Sequence, residues 1–209
     1  MGHAPFIALE GIDGAGKSVQ CRLLADWLRG RGYGVRQVAD PGGTPVGDAL
    51  RSLVLGGQWE MAPITEALLF MASRAELVGR TVRPALDRGD AVVSDRFLLS
   101  NVVYQGYAGG LDPAVLWRLG LFATGGLEPD LSIVLDLPVE AAATRRRRAE
   151  DRIEGRGASH QEAVRQGFLA EARARPDRIV VVNAAQSVEA TAAAVAREVE
   201  RVLEARVRT

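Results

Sequence analysis

The chain has 209 residues, of which 47% are hydrophobic and 25% charged, and its 26 basic and 26 acidic residues cancel to a formal net charge of zero. This length is enough to bury one sizeable core, so we expect a single domain over residues 1–209. A neutral chain has no overall field with which to hold nucleic acid or an anionic membrane surface. We therefore expect small-molecule partners, with no nucleic acid and no membrane.

The cysteine content and the N-terminal segment both bear on the compartment. A single cysteine, Cys21, excludes an internal disulfide framework, which is typical of a reducing compartment. No run approaches the roughly 18 apolar residues of a membrane span, and no basic flank precedes a long apolar stretch near residue 1. These features predict a cytoplasmic protein.

Five short apolar runs rich in β-branched residues predict strands that are buried on both faces. They are residues 6–11, 35–40, 91–96, 131–137 and 179–184. Helix-like segments alternate with them at 17–31, 46–56, 62–88, 112–124, 138–149, 159–175 and 187–206, and the glycine-rich stretches 41–47 and 106–110 are predicted as loops. The alternation predicts an α/β fold with a parallel sheet, because parallel neighbours need crossover connections.

Polar side chains follow several of the predicted strands. Asp13, Asp40, Asp95 and Asn183 lie at or just after strand ends. Ligands of open parallel sheets bind beyond the carboxyl ends of the strands. We therefore expect the functional site at this edge of the sheet.

The segment GIDGAGKS, residues 11–18, matches the pattern G-x-x-x-x-G-K-S between a predicted strand and a predicted helix. Its glycines let backbone N–H groups turn towards phosphate oxygens, and the helix N-terminus adds positive potential there. Lys17 would reach the β- and γ-phosphates and Ser18 would ligate magnesium. Lys17 is the only lysine of the chain, and a broad guanidinium does not replace a compact ammonium at such a site. The predicted ATP-binding residues of this loop are Gly11, Gly14, Ala15, Gly16, Lys17 and Ser18.

Asp95 and Arg96 end the third predicted strand in the segment VVSDR. A carboxylate at that position holds Mg²⁺ through water, which completes a metal site begun by Ser18. The alternative is that the pair caps the strand and interacts locally. The presence of the phosphate-binding loop favours the metal site.

The phosphate-binding loop is shared by kinases, GTPases and ATPase motors, and the rest of the chain distinguishes them. A conventional GTPase reads guanine with an Asn-Lys-x-Asp element, which a chain with no second lysine lacks. An ATPase motor usually has further domains or a long insertion. The sequence therefore favours a small kinase.

Six segments together resemble the thymidylate kinase family over nearly the whole chain: FIALEGIDGAGKS, DPGGT, LLFMASRAEL, SDRFLLSNVVYQGY, PDLSIVLDL and DRIE. The resemblance implies the P-loop NTPase fold, with a five-stranded parallel sheet and helices on both faces. It also implies a homodimer formed through helix packing. The reaction it implies is transfer of the ATP γ-phosphoryl group to dTMP, giving dTDP and ADP, with Mg²⁺.

The resemblance assigns the acceptor site residue by residue. Asp13 would contact the deoxyribose 3′-hydroxyl and act in catalysis with Lys17 and Arg96. Phe70 and Arg74, four residues apart on one predicted helix, would hold thymine by stacking and hydrogen bonding. The other expected substrate-binding residues are Asn101 and Gln105 at the base, Tyr104 beside the sugar 2′ carbon, and Arg51 and Arg96 at the acceptor phosphate.

The arginine-rich segment 144–157 is either a solvated helix end or a lid. Some family members carry a catalytic arginine where this chain has Gly14, and others supply it from a lid. The glycine therefore favours the lid, with Arg147 and Arg152 as the candidate catalytic residues. Arg145 and the loop 183–186 would flank the adenine.

Three positions depart from many family members. Ala39 stands where many have arginine, Asp40 where many have glutamate, and Gly109 where many have arginine. Two other functions stay open at this stage. One is a kinase of another nucleoside monophosphate or of a deoxynucleoside, and the other is a catalytically silent nucleotide-binding protein.

Overall fold

The computed structural model describes residues 4–56, 59–145, 153 and 156–207, and within these ranges five strands form one parallel sheet. The strands are β1 Phe6–Glu10, β2 Val35–Ala39, β3 Ala91–Asp95, β4 Leu131–Asp136 and β5 Ile179–Asn183. Their order across the sheet is β2-β3-β1-β4-β5, and every neighbouring pair is parallel. The predicted α/β fold with a five-stranded parallel sheet is confirmed.

Helices connect the strands at positions close to those predicted. They are α1 Lys17–Arg29, α2 Pro45–Leu55, α3 Pro63–Leu77, α4 Arg83–Asp87, α5 Leu98–Asn101, α6 Pro113–Thr124, α7 Val139–Arg145, α8 Ala158–Ala174 and α9 Val188–Val207. A π-helical stretch, Val78–Val82, joins α3 to α4, so the predicted helix 62–88 is continuous. None of the helices in these ranges is long and apolar enough to cross a membrane.

Both faces of the sheet carry helices, as predicted. Along β1, Phe6 and Ala8 point into one core cluster, which includes apolar side chains of α3, α4, α5 and α6. Ile7 and Leu9 point into a second cluster with α1, α7, α8 and α9. Alternate residues of a strand face opposite sides of a sheet, so a central strand packed on both sides must be apolar throughout.

The prediction that every strand is buried on both faces is wrong for β2. Arg36 and Gln37 are exposed and Val35 and Val38 are half-buried, because β2 lies at one edge of the sheet. β5, at the other edge, is also partly exposed. Apolar composition alone did not distinguish the edge strands from the central ones.

One helix was not predicted from the sequence. Helix α5 continues through a π-helical stretch, Val102–Tyr107, so that residues 98–107 are helical and the predicted loop 106–110 begins inside this segment. Leu98 to Gly106 are all buried. A helix buried on every side has no polar face, and it therefore lacks the amphipathic spacing by which helices are recognised in a sequence.

Candidate active site

The phosphate-binding loop joins β1 to α1 and lines a cleft of about 1040 Å³ beyond the carboxyl ends of the strands. Asp13 to Ser18 all line this cleft. Gly14 has φ 91°, and a Cβ added there would lie 2.4 Å from the backbone oxygen of Ala142 in α7. The loop therefore requires glycine at this position both for its backbone conformation and for its packing against α7.

Gly11, which was predicted to bind ATP, is not among the residues that line the cleft. A Cβ on Gly11 would meet the backbone oxygen of Leu135 in β4 at 2.6 Å. Its carbonyl accepts hydrogen bonds from Lys17 Nζ and from Arg96 Nη1. The Gly11 carbonyl thus holds two of the cations that line the cleft, Lys17 and Arg96.

Lys17 begins α1, and its ammonium folds back over the loop. Nζ donates to the carbonyl oxygens of Ile12 at 2.9 Å and Gly11 at 3.1 Å, and lies 3.7 Å from Asp13 Oδ1. Burial, followed by the nearby Arg96 charge, lowers the pKa of Lys17, while the carboxylates around it act in the opposite direction. The carbonyl groups of Gly11 and Ile12 thus hold the Lys17 ammonium against the loop.

Ser18 and Asp95 lie side by side, as the predicted metal site requires. The Ser18 hydroxyl donates to Asp95 Oδ2 at 2.6 Å, which joins the first turn of α1 to the end of β3. Hydroxyl and carboxylate oxygens are hard ligands of the kind that Mg²⁺ selects, and Mg²⁺ usually takes only one or two carboxylates from a protein. The described residues contain no group of three or more potential metal-ligating His, Cys, Asp or Glu side chains.

Asp13 forms a compact polar cluster with Arg96 and Tyr104. Arg96 Nη2 donates to Asp13 Oδ1 at 2.6 Å and to the Tyr104 hydroxyl at 3.1 Å, and that hydroxyl donates to Asp13 Oδ2 at 3.1 Å. Burial opposes ionisation of Asp13, but the charges of Arg96 and Lys17 outweigh it and hold its pKa below the ordinary value. Asp13 is therefore an ionised hydrogen-bond acceptor at neutral pH.

Arg96 adopts a left-handed backbone conformation, with φ 67°, which is rare for a residue with a side chain. The carboxylate of Glu10 secures the chain that follows it: one oxygen accepts from the Phe97 N–H at 2.9 Å and the other from the Ser100 hydroxyl. Ser100 in turn accepts from Arg96 Nη1 at 2.9 Å. Burial raises the pKa of Glu10 to about 7, although Ser100 and Arg96 oppose the shift.

Helix α3 also lines the cleft, through Phe70 and Arg74, which share a face of this helix as predicted. The Arg74 guanidinium is buried, and its donors contact protein groups. Nε donates to Asp40 Oδ2 and Nη1 donates to Asn101 Oδ1 at 3.0 Å. Burial raises the pKa of Asp40, and the charge of Arg74 opposes that rise.

Asn101 and Gln105 lie one helical turn apart and also line the cleft. Asn101 Nδ2 donates to Gln105 Oε1 at 2.7 Å, and Gln105 Nε2 donates to Glu66 Oε1 at 2.9 Å. The second oxygen of Glu66 accepts from Arg156 Nη2 at 2.6 Å. Residues of α3, of the segment 98–107 and of the segment before α8 thus meet in one hydrogen-bond network.

The two remaining predicted cations that the structure describes also line the cleft. Arg51 Nη1 donates to the Pro41 carbonyl at 2.7 Å, and Arg145 Nη1 donates to the Ala184 carbonyl at 3.0 Å. Ala184 and Gln186 of the loop 183–186 also line the cleft. The predicted lid residues Arg147 and Arg152 lie outside the described residues.

The side chains that join the hydrogen-bond networks of predicted site residues but were not themselves predicted from the sequence include Glu10, Glu66 and Arg156. Glu66 precedes Phe70 and Arg74 at successive intervals of four residues, so helical spacing alone places it on their face of α3. Glu10 is a carboxylate at the end of a buried strand, directly before the phosphate-binding loop, where a charge needs a partner. No local pattern indicates the contact of Arg156 with Glu66.

Comparison with known proteins identifies the family. The family model described as thymidylate kinase matches residues 9–195. A thymidylate kinase of Symbiobacterium thermophilum is 47% identical over 205 residues, covering 97% of this chain and 96% of that protein. One from Rhodopirellula baltica is 46% identical over 191 residues, covering 91% of this chain and 78% of that protein.

The chain belongs to the thymidylate kinase family. The crystal structure of thymidylate kinase from Ehrlichia chaffeensis agrees with this assignment, with a TM-score of 0.77, 28% identity, and coverage of 96% of this chain and all of that one. The resemblance carried by the sequence motifs and the predicted P-loop fold are therefore confirmed.

Two departures from other thymidylate kinases have a structural explanation. The shorter carboxylate of Asp40 still reaches Arg74, because the buried pair forms between Oδ2 and Nε. A Cβ on Gly109 would lie 2.6 Å from the backbone oxygen of Gln105, so this turn has no room for an arginine. Ala39 is exposed at the end of β2, and nothing in the structure explains its departure.

Proposed function

We propose that this protein is a thymidylate kinase that transfers the γ-phosphoryl group of ATP to dTMP, giving dTDP and ADP. One observation carries the proposal: the phosphate-binding loop and the side chains of Phe70, Arg74, Asn101 and Gln105 line the same cleft. Phosphoryl transfer requires donor and acceptor to be held in line with their charges neutralised. A cleft lined by the phosphate-binding loop and by the residues predicted to contact the base supports this proposal.

The donor side holds ATP through residues 11–18. The backbone N–H groups of the loop would donate hydrogen bonds to the phosphate oxygens, and Lys17 would leave its carbonyl partners to contact the β- and γ-phosphates. Ser18 and Asp95 fit Mg²⁺ as adjacent hard oxygen ligands. When bound, the ion neutralises charge on the phosphate oxygens. Arg145 and the loop 183–186 would contact the adenine.

On the acceptor side, the ionised carboxylate of Asp13 would accept the sugar 3′-hydroxyl. Such a contact favours ligands with that hydroxyl, because a ligand without it cannot donate to this carboxylate. Phe70 would stack on the base, Asn101 and Gln105 would hydrogen-bond its edge, and Tyr104 would crowd the 2′ carbon. Arg51 and Arg96 would neutralise the acceptor phosphate, so that two anions approach each other.

The proposal extends to the lid, the assembly and the compartment. With Gly14 in the loop, an arginine of segment 144–157, Arg147 or Arg152, would stabilise the charge that develops on the migrating phosphoryl group. Closure of that segment would exclude water, which otherwise hydrolyses ATP.

The chain acts as one domain in a cytoplasmic homodimer. Exposed apolar side chains on α3 and α6, including Ile64, Leu68 and Phe122, support the dimer.

A substrate panel tests the function. The purified protein is assayed with ATP and Mg²⁺ against dTMP, dUMP, dCMP, dAMP and thymidine, with ADP release followed by a coupled assay. We expect dTMP to have the highest kcat/KM and Lys17→Ala to lose at least about a hundredfold in kcat with an unchanged circular dichroism spectrum. Arg147→Ala and Arg152→Ala then identify the lid residue by the larger fall in kcat.

Preference for another acceptor would reassign the protein to a different nucleotide kinase. Tight ATP binding with no product from any acceptor would instead indicate a catalytically silent nucleotide-binding protein. Either result contradicts the proposed function.

A further inference from the structure

The side chains that read the base in the proposed function form a hydrogen-bond chain with a fixed direction. At one end, the Arg74 guanidinium only donates, so the group of Asn101 that faces it must be the oxygen. The Asn101 amide nitrogen then faces Gln105 Oε1, and the Gln105 nitrogen faces Glu66. At the other end, the Glu66 carboxylate accepts, which agrees with the direction imposed by Arg74.

Glu66 supplies two acceptors to two different donors. Oε1 accepts from Gln105 Nε2 and Oε2 accepts from Arg156 Nη2, and the Glu66 side chain is only 2% exposed. A carboxamide of the same shape has a single oxygen and an NH₂ group. The two donors contact different oxygens of Glu66, so a carboxamide leaves one of these two positions without an acceptor.

We propose that Glu66 is a positioning residue that sets the base preference of the site, by locking the amides of Gln105 and Asn101 in one orientation. The inference rests on the proposed function, because it assumes that these two amides face the acceptor base. With both amides locked, each hydrogen-bonding group that they turn towards the cleft is fixed as a donor or an acceptor. A freely rotating amide would present either group.

Pyrimidine bases differ in the positions of the hydrogen-bond donors and acceptors that such amides would contact. Thymine and uracil present an acceptor at O4 and a donor at N3, whereas cytosine presents a donor at N4 and an acceptor at N3. A locked amide pair can form hydrogen bonds with only one of these two donor and acceptor patterns, and it places like groups against the other. Thymine and uracil differ only in the methyl group, which is read by apolar contact rather than by the amides.

The variant Glu66→Gln tests whether Glu66 fixes the orientation of the two amides. The short hydrogen bond from the charged Arg156 is the stronger of the two, so the single oxygen of the new carboxamide turns to Arg156 and its NH₂ group faces the NH₂ group of Gln105. Gln105 then loses its acceptor and is released. We expect the ratio of kcat/KM for dTMP to kcat/KM for dCMP to fall about tenfold, a value typical of one base-reading hydrogen bond.

Three readouts distinguish positioning from a general structural effect. The ratio of dTMP to dUMP stays within about twofold of wild type, because the amides treat both bases alike. The KM for dTMP rises, while the KM for ATP does not change. Both acceptors are assayed on one sample, so the folded fraction cancels from each ratio.

Glu162→Gln is the matched control. Glu162 accepts from Gln166 Nε2 at 2.8 Å and lies 3.8 Å from Arg165 Nη1, so it has the same types of partner on the exposed surface of α8. We expect its ratios to equal those of wild type. If Glu66→Gln yields no folded protein, the ratio is measured in Glu66→Asp, whose shorter carboxylate does not reach both donors, and a fall of the dTMP to dCMP ratio is again expected.

An unchanged dTMP to dCMP ratio in the folded Glu66 variant overturns the inference, and so does a fall that the dTMP to dUMP ratio shares. The wild-type assay tests the proposed function separately. A wild-type protein that phosphorylates dTMP and a variant with the same base preference would leave the function standing and remove only the role of Glu66.

Discussion

Replacement of Arg74 by methionine tests whether the buried ion pair of Arg74 and Asp40 stabilises the part of the cleft proposed to hold the acceptor. The Arg74 and Asp40 side chains are 2% and 0% exposed, and Asp40 Oδ1 has no hydrogen-bond partner within the described part of the chain. Methionine keeps an apolar stem of similar length but removes every donor. The carboxylate of Asp40 would then be buried without its cation.

The burial of this pair determines how much free energy of unfolding we expect Arg74→Met to lose. Removing one partner of a buried ion pair costs about 3–5 kcal/mol, which is a large part of the roughly 5–15 kcal/mol that stabilises a typical domain. Burial already raises the pKa of Asp40 against the opposing charge of Arg74. The loss of Arg74 raises that pKa further. The folded variant therefore retains a proton that the unfolded chain releases, so we expect the cost of Arg74→Met to shrink as the pH falls.

Urea unfolding of Arg74→Met, Asp40→Asn and the double variant at pH 7 measures the effect as a double-mutant cycle. We expect the double variant to be more stable than the sum of the single costs predicts, by about 1–3 kcal/mol, because it leaves no buried charge unpaired. Arg29→Met is the control, since Arg29 and Asp26 form an ion pair with side chains 49% and 62% exposed. Its expected cost is at most about 1 kcal/mol.

Two outcomes would refute this reasoning. One is a cost for Arg74→Met no greater than that for Arg29→Met, and the other is strict additivity of the two single substitutions. Either result would mean that Asp40 is stabilised by something other than the charge of Arg74.

Two further predictions concern the base of the phosphate loop and the assembly. The pKa of Glu10 is raised from 4.5 to about 7, so its stabilising contribution is present at low pH and is lost as the pH rises through 7. We expect the free energy of unfolding of Glu10→Gln, measured with urea and relative to that of wild type, to rise by about 2–3 kcal/mol between pH 5 and pH 8. A difference between the two proteins that does not change with pH would contradict this. For the dimer, we expect Leu68→Glu on α3 to sediment as a monomer, while Val181→Glu, equally exposed on the edge strand β5, keeps the wild-type mass. A wild-type monomer at the same concentration would contradict the proposed homodimer.

The sequence alone was sufficient for the parts of this protein that depend on neighbouring residues. Apart from the helical segment 98–107, strand and helix positions follow from apolar spacing, and the phosphate loop follows from glycines and a lysine within eight residues. The shared face of Phe70 and Arg74 follows from helical periodicity. Each of these features is set by backbone geometry over one or two turns, which is the range that a local pattern reports.

The tertiary structure alone decided which charged and polar side chains meet. Asp40 pairs with Arg74 across 34 positions, Gln105 with Glu66 across 39, and Arg156 with Glu66 across 90. The same holds for the exposed edge strand β2 and for the buried helical segment 98–107, whose environments depend on strand order and packing. No local spacing encodes such contacts, because burial is a property of the assembled core, and burial makes each of these polar groups depend on a distant partner.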